Sequence, residues 1–269
     1  HEIITTMNIF SNFESGNINV VNADSPQNIQ LTIPADKHTD IAQWFHFRLE
    51  SEAQVSHHFE IQGLAKSAYP EGWKDYDVVA SYDREEWFRI PAKFDGDTLQ
   101  FDIIPEHESM FFAYFAPYSY DRHQDLLHSA QTHPACRLET LGVTNDNNDI
   151  SLLTIGEPSP EKKNIWIIGR QHPGETMAEW FIEGFLQRLL DETDTVGRAL
   201  LDKVVIRAVP NMNPDGSIIL MTGTVEIGQG ARTALTQVVA EELGVVPERI
   251  FVAQLDTDMT PYDSGTNAS

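Results

Sequence analysis

The apolar residues change their spacing near Tyr120, and this change limits the folds open to the chain. Before it, short apolar, β-branched or aromatic segments alternate with turn sequences at 15–17, 70–72 and 95–97. Closely spaced short segments of this kind predict an antiparallel β-sandwich. The expected strands are 18–21, 29–33, 44–49, 58–62, 76–81, 86–90, 98–103 and 110–115.

After Tyr120 the pattern favours helices alternating with strands. The expected elements are a polar helix at 121–131, strands at 152–155, 164–169 and 203–209, and an amphipathic helix at 176–190. The apolar run at 164–169 predicts a strand buried on both faces. Thr176 and Glu179 have the spacing of a capping box, which would start the amphipathic helix there. Strand, helix and strand in this order predict a right-handed crossover in a parallel or mixed sheet, so the fold class is α/β preceded by a β-sandwich.

The last 51 residues form a further α/β pattern, with a possible strand at 224–227, a helix at 231–243 and a strand at 250–255. The chain begins on His1, and Met7 is a more ordinary start, so we expect residues 1–6 to be extra to the fold. The pattern therefore gives extra residues at 1–6, a sandwich at 7–120 and α/β elements from 121 onwards, and nothing in the composition marks a boundary before the last 51 residues.

Charge and composition limit the partners and the compartment. Eighteen basic against 41 acidic side chains give a formal net charge of −23, which repels phosphate backbones and anionic lipid. No apolar run approaches the roughly 20 residues that span a bilayer. The single cysteine, Cys136, cannot form an internal disulfide. We therefore expect a cytoplasmic protein with neither nucleic acid nor membrane as a partner.

The sequence His172-Pro173-Gly174-Glu175 lies between the predicted strand and the amphipathic helix. Loops at the carboxyl ends of such strands carry ligand sites, and imidazole and carboxylate are ordinary zinc ligands. The spacing alone is weak, because about one such pair is expected by chance in a chain of this composition. A solvated loop, with Glu175 favoured by the positive end of the helix dipole, is an equal alternative.

A second loop follows the next strand, at 210–216, and must emerge at the same edge of the sheet. The two loops would then face one site, and the second carries the polar residues Asn211, Asn213 and Asp215. A tight Asn-Pro-Asp-Gly turn without function explains the loop equally well.

Ordered motifs over residues 7–218 closely resemble the zinc metallocarboxypeptidases of the cytosolic carboxypeptidase subgroup. The motifs are SNFESGNI, QWFHFRL, FFAYFAPYSY, IIGRQHPGETMAEWFIEGFLQRLL and IRAVPNMNPDGS. The resemblance implies a Zn²⁺-dependent enzyme that removes C-terminal amino acids from peptides or proteins. It also implies that His172 and Glu175 are two of the three protein ligands, and that the zinc activates a water molecule. The loop with Asn211, Asn213 and Asp215 would form the neighbouring wall of the site.

The resemblance stops at Ser217. The family's third ligand is a later histidine, whereas no histidine follows His172, and its general-base glutamate and substrate-binding arginines have no counterpart. Impaired activity is therefore expected, and Asp256, Asp258 and Asp263 are candidates for the third ligand. A non-catalytic zinc-binding or structural remnant is the alternative.

The tail resembles another family. GTVEIGQGARTALTQVVAEELGV and LDTDMTPYDSGTNAS are similar to the molybdenum-binding subunit of xanthine dehydrogenases and aldehyde oxidases. This resemblance would make Gln229 a molybdopterin contact. Together the two resemblances imply a join near 218–223, with a partial carboxypeptidase α/β domain at 121–218 and a separate segment at 219–269. A molybdopterin-dependent oxidoreductase fragment is a third functional reading.

Other residues of chemical interest have plainer interpretations. His123, His128 and His133 recur every five positions and share no helical face, which favours solvated side chains over a metal cluster. Trp166 and Trp180 are expected in the core, and Cys136 is expected to be a small buried thiol.

Overall fold

The computed structural model describes residues 7–36, 41–144, 146–215, 218–220, 231–243, 247 and 250–252. The chain divides into two compact units, residues 1–119 and 120–269. No helix within these described ranges is long and apolar enough to cross a membrane.

The described part of the first unit is made of strands joined by turns and two short 3-10 helices, Leu64–Lys66 and Pro70–Trp73. The strands are β1 (Asn8–Phe10), β2 (Asn19–Ser25), β3 (Asn28–Thr32), β4 (His46–Glu50), β5 (His57–Gln62), β6 (Val78–Ser81), β7 (Phe88–Ile90), β8 (Ala92–Phe94), β9 (Leu99–Ile103) and β10 (Ser109–Ala113).

These strands form two five-stranded sheets, ordered β1-β4-β10-β6-β7 and β2-β3-β5-β9-β8. Four buried phenylalanines lie at the centre: Phe47 and Phe112 come from the first sheet, Phe59 and Phe101 from the second. The ring centroids of Phe59 and Phe112 are 5.2 Å apart, so the two sheets meet through aromatic contacts. This aromatic layer forms the core of a β-sandwich.

All eight predicted strands are confirmed within a few residues at each end. The edge strands β1 and β8, of three residues each, were not predicted, since so short a segment has no alternation to detect. The sheets are antiparallel except for one pair, because β3 and β5 run parallel.

The second unit contains α1 (Tyr120–Gln131), β11 (Cys136–Val143), β12 (Asp149–Ile155), β13 (Lys163–Ile168), α2 (Met177–Leu189), α3 (Thr195–Leu201) and β14 (Val204–Val209). The sheet order is β11-β12-β14-β13, with β13 and β14 parallel and the other pairs antiparallel. The predicted crossover in a mixed sheet is therefore confirmed. Two elements, β11 and α3, were not predicted.

Two burial predictions in this unit are wrong. Among the described strands, β13 pairs only with β14, and its first three residues, which include Ile165, are exposed. The helix α2 is apolar over most of its surface, and only the face with Ile182, Leu186 and Leu189 is buried. Phe181, expected in the buried stripe, is 62% exposed. Trp166 and Trp180 are half-buried, and Trp166 packs against a core cluster of buried residues that includes Ile150 and Val209.

The tail contains β15 (Ile218–Leu220), α4 (Ala231–Leu243) and β16 (Ile250–Val252), with β15 and β16 parallel. The helix and the second strand match the predicted ones. The expected strand at 224–227, Gln229, and the aspartates Asp256, Asp258 and Asp263 lie outside the described residues.

Cys136 is buried at the start of β11, as predicted. Burial raises the pKa of its thiol to about 11, so the unreactive protonated form dominates at neutral pH.

His46 is a buried polar residue of the sandwich, 3% exposed. Its ring meets Phe13 edge-on, with centroids 4.9 Å apart, and its Nδ1 lies 2.9 Å from the Ser15 hydroxyl. Burial, with a further contribution from the nearby Arg84 charge, lowers the pKa of His46 to about 4. The imidazole is therefore neutral in the folded protein near pH 7.

We expect acid to destabilise the sandwich through His46. Between pH 6.5 and about 4 the unfolded chain binds a proton on this imidazole and the folded protein does not. The free energy of unfolding should therefore fall with falling pH by up to ~1.4 kcal/mol per pH unit in this window. Urea titrations of wild type and His46→Gln at several pH values measure it, and an equal acid slope in both would contradict the prediction.

Candidate metal site

The loop between β13 and α2 brings His172 and Glu175 together. The Glu175 amide donates a hydrogen bond to the His172 carbonyl, 3.0 Å away, which closes a tight turn. His172 Nδ1 also lies 3.0 Å from Glu175 Oε2. The two side chains are 78% and 51% exposed, so their polar atoms converge at the surface.

Gly169 lets this loop leave the sheet close to its neighbour. A Cβ placed at Gly169 would lie 2.7 Å from Ile182 Cδ1 and 2.8 Å from the Pro210 carbonyl oxygen. Both distances are shorter than van der Waals contact, and one partner is backbone that cannot turn aside. Only glycine fits between α2 and the loop after β14.

The loop after β14 is hydrogen-bonded to the first one. The Met212 amide donates to the Gly169 carbonyl at 3.0 Å, and Asn213 Nδ2 donates to the Gln171 carbonyl at 2.9 Å. Asn211 is buried, and its Oδ1 accepts the Asn213 amide. The two loops therefore meet at one sheet edge, as the parallel strands predicted.

Asp215 points to a different neighbour. Its carboxylate accepts hydrogen bonds from Asn148 Nδ2 at 2.8 Å and from the Asp146 amide at 3.0 Å, both in the turn between β11 and β12. Asp215 thus holds the second loop to this turn, while Asn213 holds it to the first loop. Among the candidate wall residues, Asn213 bonds the carbonyl next to His172.

A buried ionic cluster lies directly behind the first loop. Glu179, in the first turn of α2, is fully buried, and its Oε1 lies 2.7 Å from Nδ1 of His123 on α1. Its Oε2 accepts a hydrogen bond from Arg170 Nη1, and Arg170 Nε donates to the Pro173 carbonyl at 3.0 Å. The cluster therefore connects two helices to the turn that carries His172.

Two predictions about these residues are wrong. Thr176 makes no side-chain cap hydrogen bond, so the capping box does not form, although the helix starts where expected. His123 is 1% exposed rather than solvated. A signal was present in the sequence: Glu179 shares a face with Ile182, Leu186 and Leu189, and a carboxylate on a buried face requires partners.

The donor atoms of His172 and Glu175 fit a zinc ion in part. Two ligands in a tetrahedral zinc site are about 3.3 Å apart when each lies 2.0–2.1 Å from the metal, and the observed separation is 3.0 Å. No group of three or more His, Cys, Asp or Glu side chains that could hold a metal was found in the described part of the chain. The described residues therefore supply two donors, one fewer than a catalytic zinc site uses.

Comparison with known families gives two matches. The profile of the cytosolic carboxypeptidase N-terminal domain matches residues 9–115, which is the β-sandwich. The profile of the molybdopterin cofactor-binding domain matches residues 197–269. The second range begins in α3, ahead of the join expected near 218–223.

Solved structures extend the first match into the second unit. A metallo-carboxypeptidase from Burkholderia cenocepacia is 46% identical with a TM-score of 0.75, covering 81% of this chain and 60% of its own. A metallo-carboxypeptidase from Pseudomonas aeruginosa, in complex with (2-guanidinoethylmercapto)succinic acid, is 36% identical with a TM-score of 0.72, covering 91% of this chain and 68% of its own. The chain belongs to the metallocarboxypeptidase family.

The similarity to these structures concerns the fold of the chain. An uncharacterized protein from Zymomonas mobilis is 41% identical over 212 residues, covering 79% of this chain. The chain spans 55% of that protein and 60% of the Burkholderia cenocepacia metallocarboxypeptidase.

Gly169→Ala should weaken the contact between the two loops of this metallocarboxypeptidase unit. Its methyl group must displace Ile182 and the backbone at Pro210, and overpacking of this kind costs about 1–3 kcal/mol. Gly184→Ala is the matched control, since Gly184 lies in α2 with open space around its Cβ position. Alanine there should stabilise the helix by about 0.5–1 kcal/mol. Equal stability of both variants in urea titrations would refute the packing argument.

Proposed function

We propose that the chain carries a metallocarboxypeptidase zinc site held by His172 and Glu175. The supporting observation is the convergence of His172 Nδ1 and Glu175 Oε2, 3.0 Å apart, at the edge where two strand-end loops meet. Both atoms are exposed, so a metal ion reaches them without rearrangement of the core. The substrate class is the C-terminal end of peptides or proteins.

The chemistry follows from the donor set. A zinc ion supplies Lewis acidity and lowers the pKa of bound water towards neutrality. His172 binds through a neutral imidazole nitrogen and Glu175 through a carboxylate, and the turn hydrogen bond fixes their spacing. Asn213 holds the neighbouring loop to the Gln171 carbonyl, and Asp215 holds the same loop to the turn after β11.

We also propose that this chain alone hydrolyses peptides poorly. Two protein ligands bind zinc less firmly than the three of a catalytic site, and no histidine follows position 172. The general-base glutamate and the substrate-binding arginines of the family also have no counterpart after Ser217. The aspartates Asp256, Asp258 and Asp263 remain the proposed sources of a third ligand.

A non-catalytic zinc-binding or structural role is the second candidate. The observation that favours it is that the described residues include no group of three His, Cys, Asp or Glu side chains that could hold a metal ion. The two candidates share the metal site and differ in turnover.

The tail supports a further proposal, a join between two families. The molybdopterin cofactor-binding profile over 197–269 overlaps the end of the carboxypeptidase-like part. We place the join near 218–223, with Gln229 as the candidate cofactor contact. Molybdopterin in the purified protein would support an oxidoreductase fragment, and its absence would remove that function.

The cytosolic carboxypeptidase domain over 9–115 supports a cytoplasmic location. Fractionation of cells that express the chain tests this location.

Zinc binding is the first test. We expect wild type to bind zinc and His172→Ala and Glu175→Ala each to bind it about tenfold more weakly or worse, because each removes one donor. His128→Ala, an exposed histidine of α1, is the matched control and should bind zinc as wild type does. Titration against a chromogenic chelator measures the affinities, and equal affinity in wild type and His172→Ala would reject the site.

Peptide hydrolysis separates the two candidates. The chain, loaded with zinc, is incubated with peptides that end in glutamate, in a basic residue or in an apolar residue, and released amino acids are quantified. Slow release is expected because the catalytic set is incomplete, and no release from any of the peptides would favour the non-catalytic role. Efficient release that a chelator abolishes would overturn the impairment, and release that a chelator leaves unchanged would reject a metal mechanism.

A further inference from the structure

We propose that Arg170 is the positioning residue of the His172–Glu175 pair, and that the buried Glu179–His123 pair anchors it. This inference rests on the proposed metal site for its expected effect on zinc binding. The contacts of Arg170 with the turn and with Glu179 do not require a metal ion.

Arg170 has an unusual backbone conformation. Its φ is +49°, in the left-handed region that residues other than glycine seldom adopt. Such a conformation persists only where surrounding contacts hold it, and it is often found beside functional groups. The residue is two positions before His172, so its backbone angle sets the direction in which the loop enters the turn.

The Arg170 side chain returns to the same loop. Nε donates to the Pro173 carbonyl at 3.0 Å, between the two candidate ligands in sequence. Nη1 reaches Glu179 on the buried side. One guanidinium therefore fixes the backbone inside the turn and ties it to α2. Lysine cannot replace it, since a single ammonium group on a flexible stem does not supply this planar pair of donors.

Glu179 makes a firm anchor. Its carboxylate is fully buried in the first turn of α2, and His123 from α1 holds its other oxygen at 2.7 Å. A buried carboxylate needs partners on both oxygens, so the position of Arg170 is determined by the packing of two helices. Support behind metal ligands of this kind commonly accounts for a 10–100-fold change in metal affinity.

A second ion pair between the same helices provides a matched control. Arg122 on α1 makes two hydrogen bonds, at 2.8 and 2.9 Å, to the Glu183 carboxylate one turn further along α2. This pair is less buried and lies one turn further from the loop along α2, so Glu183→Gln perturbs the contact between α1 and α2 at a distance from the turn.

The experiment compares wild type, Arg170→Lys, Glu179→Gln, the double variant and Glu183→Gln in the full chain. Zinc affinity is measured by chelator competition, and ligand geometry by the visible absorption of bound Co²⁺. The solvent-exchange rate of the Glu175 amide, measured by NMR without metal, reports the turn itself. Thermal unfolding reports general stability.

We expect Arg170→Lys and Glu179→Gln each to weaken zinc binding by about 10-fold or more, to alter the Co²⁺ spectrum and to accelerate exchange of the Glu175 amide. The double variant should be no worse than Arg170→Lys, because both changes break one chain of contacts. Glu183→Gln should leave all three site readouts unchanged and cost less thermal stability than Glu179→Gln, because its ion pair is less buried.

Arg170→Lys with wild-type zinc affinity and amide exchange would overturn the proposal, as would equal effects from Glu183→Gln. A wild-type chain that takes up no zinc would refute the proposed metal function instead. In that case the amide exchange alone decides whether Arg170 positions the turn, with faster exchange in Arg170→Lys supporting it and unchanged exchange overturning it.

Discussion

The buried carboxylate of Glu179 holds together the elements of the α/β unit that surround the candidate site. It is fully buried, and burial of an isolated charge is costly. His123 and Arg170 each bind one of its oxygens, which links α1, α2 and the loop after β13. Removing one partner of such a buried pair typically costs about 3–5 kcal/mol, so the three elements are held in one arrangement.

The positions of His172 and Glu175 at the surface depend on these Glu179 contacts and on the parallel pairing of β13 with β14. Parallel pairing brings both strand-end loops to one edge, and Gly169 allows them to approach within hydrogen-bonding distance. The turn that results places an imidazole nitrogen and a carboxylate oxygen 3.0 Å apart at the surface. A buried ionic cluster behind a turn that carries two exposed polar side chains is consistent with the proposed metal site.

Much of this architecture is readable from the sequence, because period and turn chemistry are local properties. The short β segments, the crossover at 164–209 and the loop with His172 and Glu175 all follow from spacing and from strand order. The buried face of α2 does not, since an almost wholly apolar helix has no unique inward stripe, and Phe181 is on the exposed side. The partners of Glu179 lie 9 and 56 positions away in sequence, and only tertiary packing brings them together. For the same reason the solvated state expected for His123 is wrong.

The central claim, that His172 and Glu175 hold one zinc ion, is tested most directly by anomalous diffraction at the zinc absorption edge from crystals of the zinc-loaded chain. The account predicts an anomalous peak about 2.0–2.2 Å from both His172 Nδ1 and Glu175 Oε2. Zinc density elsewhere in the molecule, with these two side chains still bonded only to each other, would contradict it.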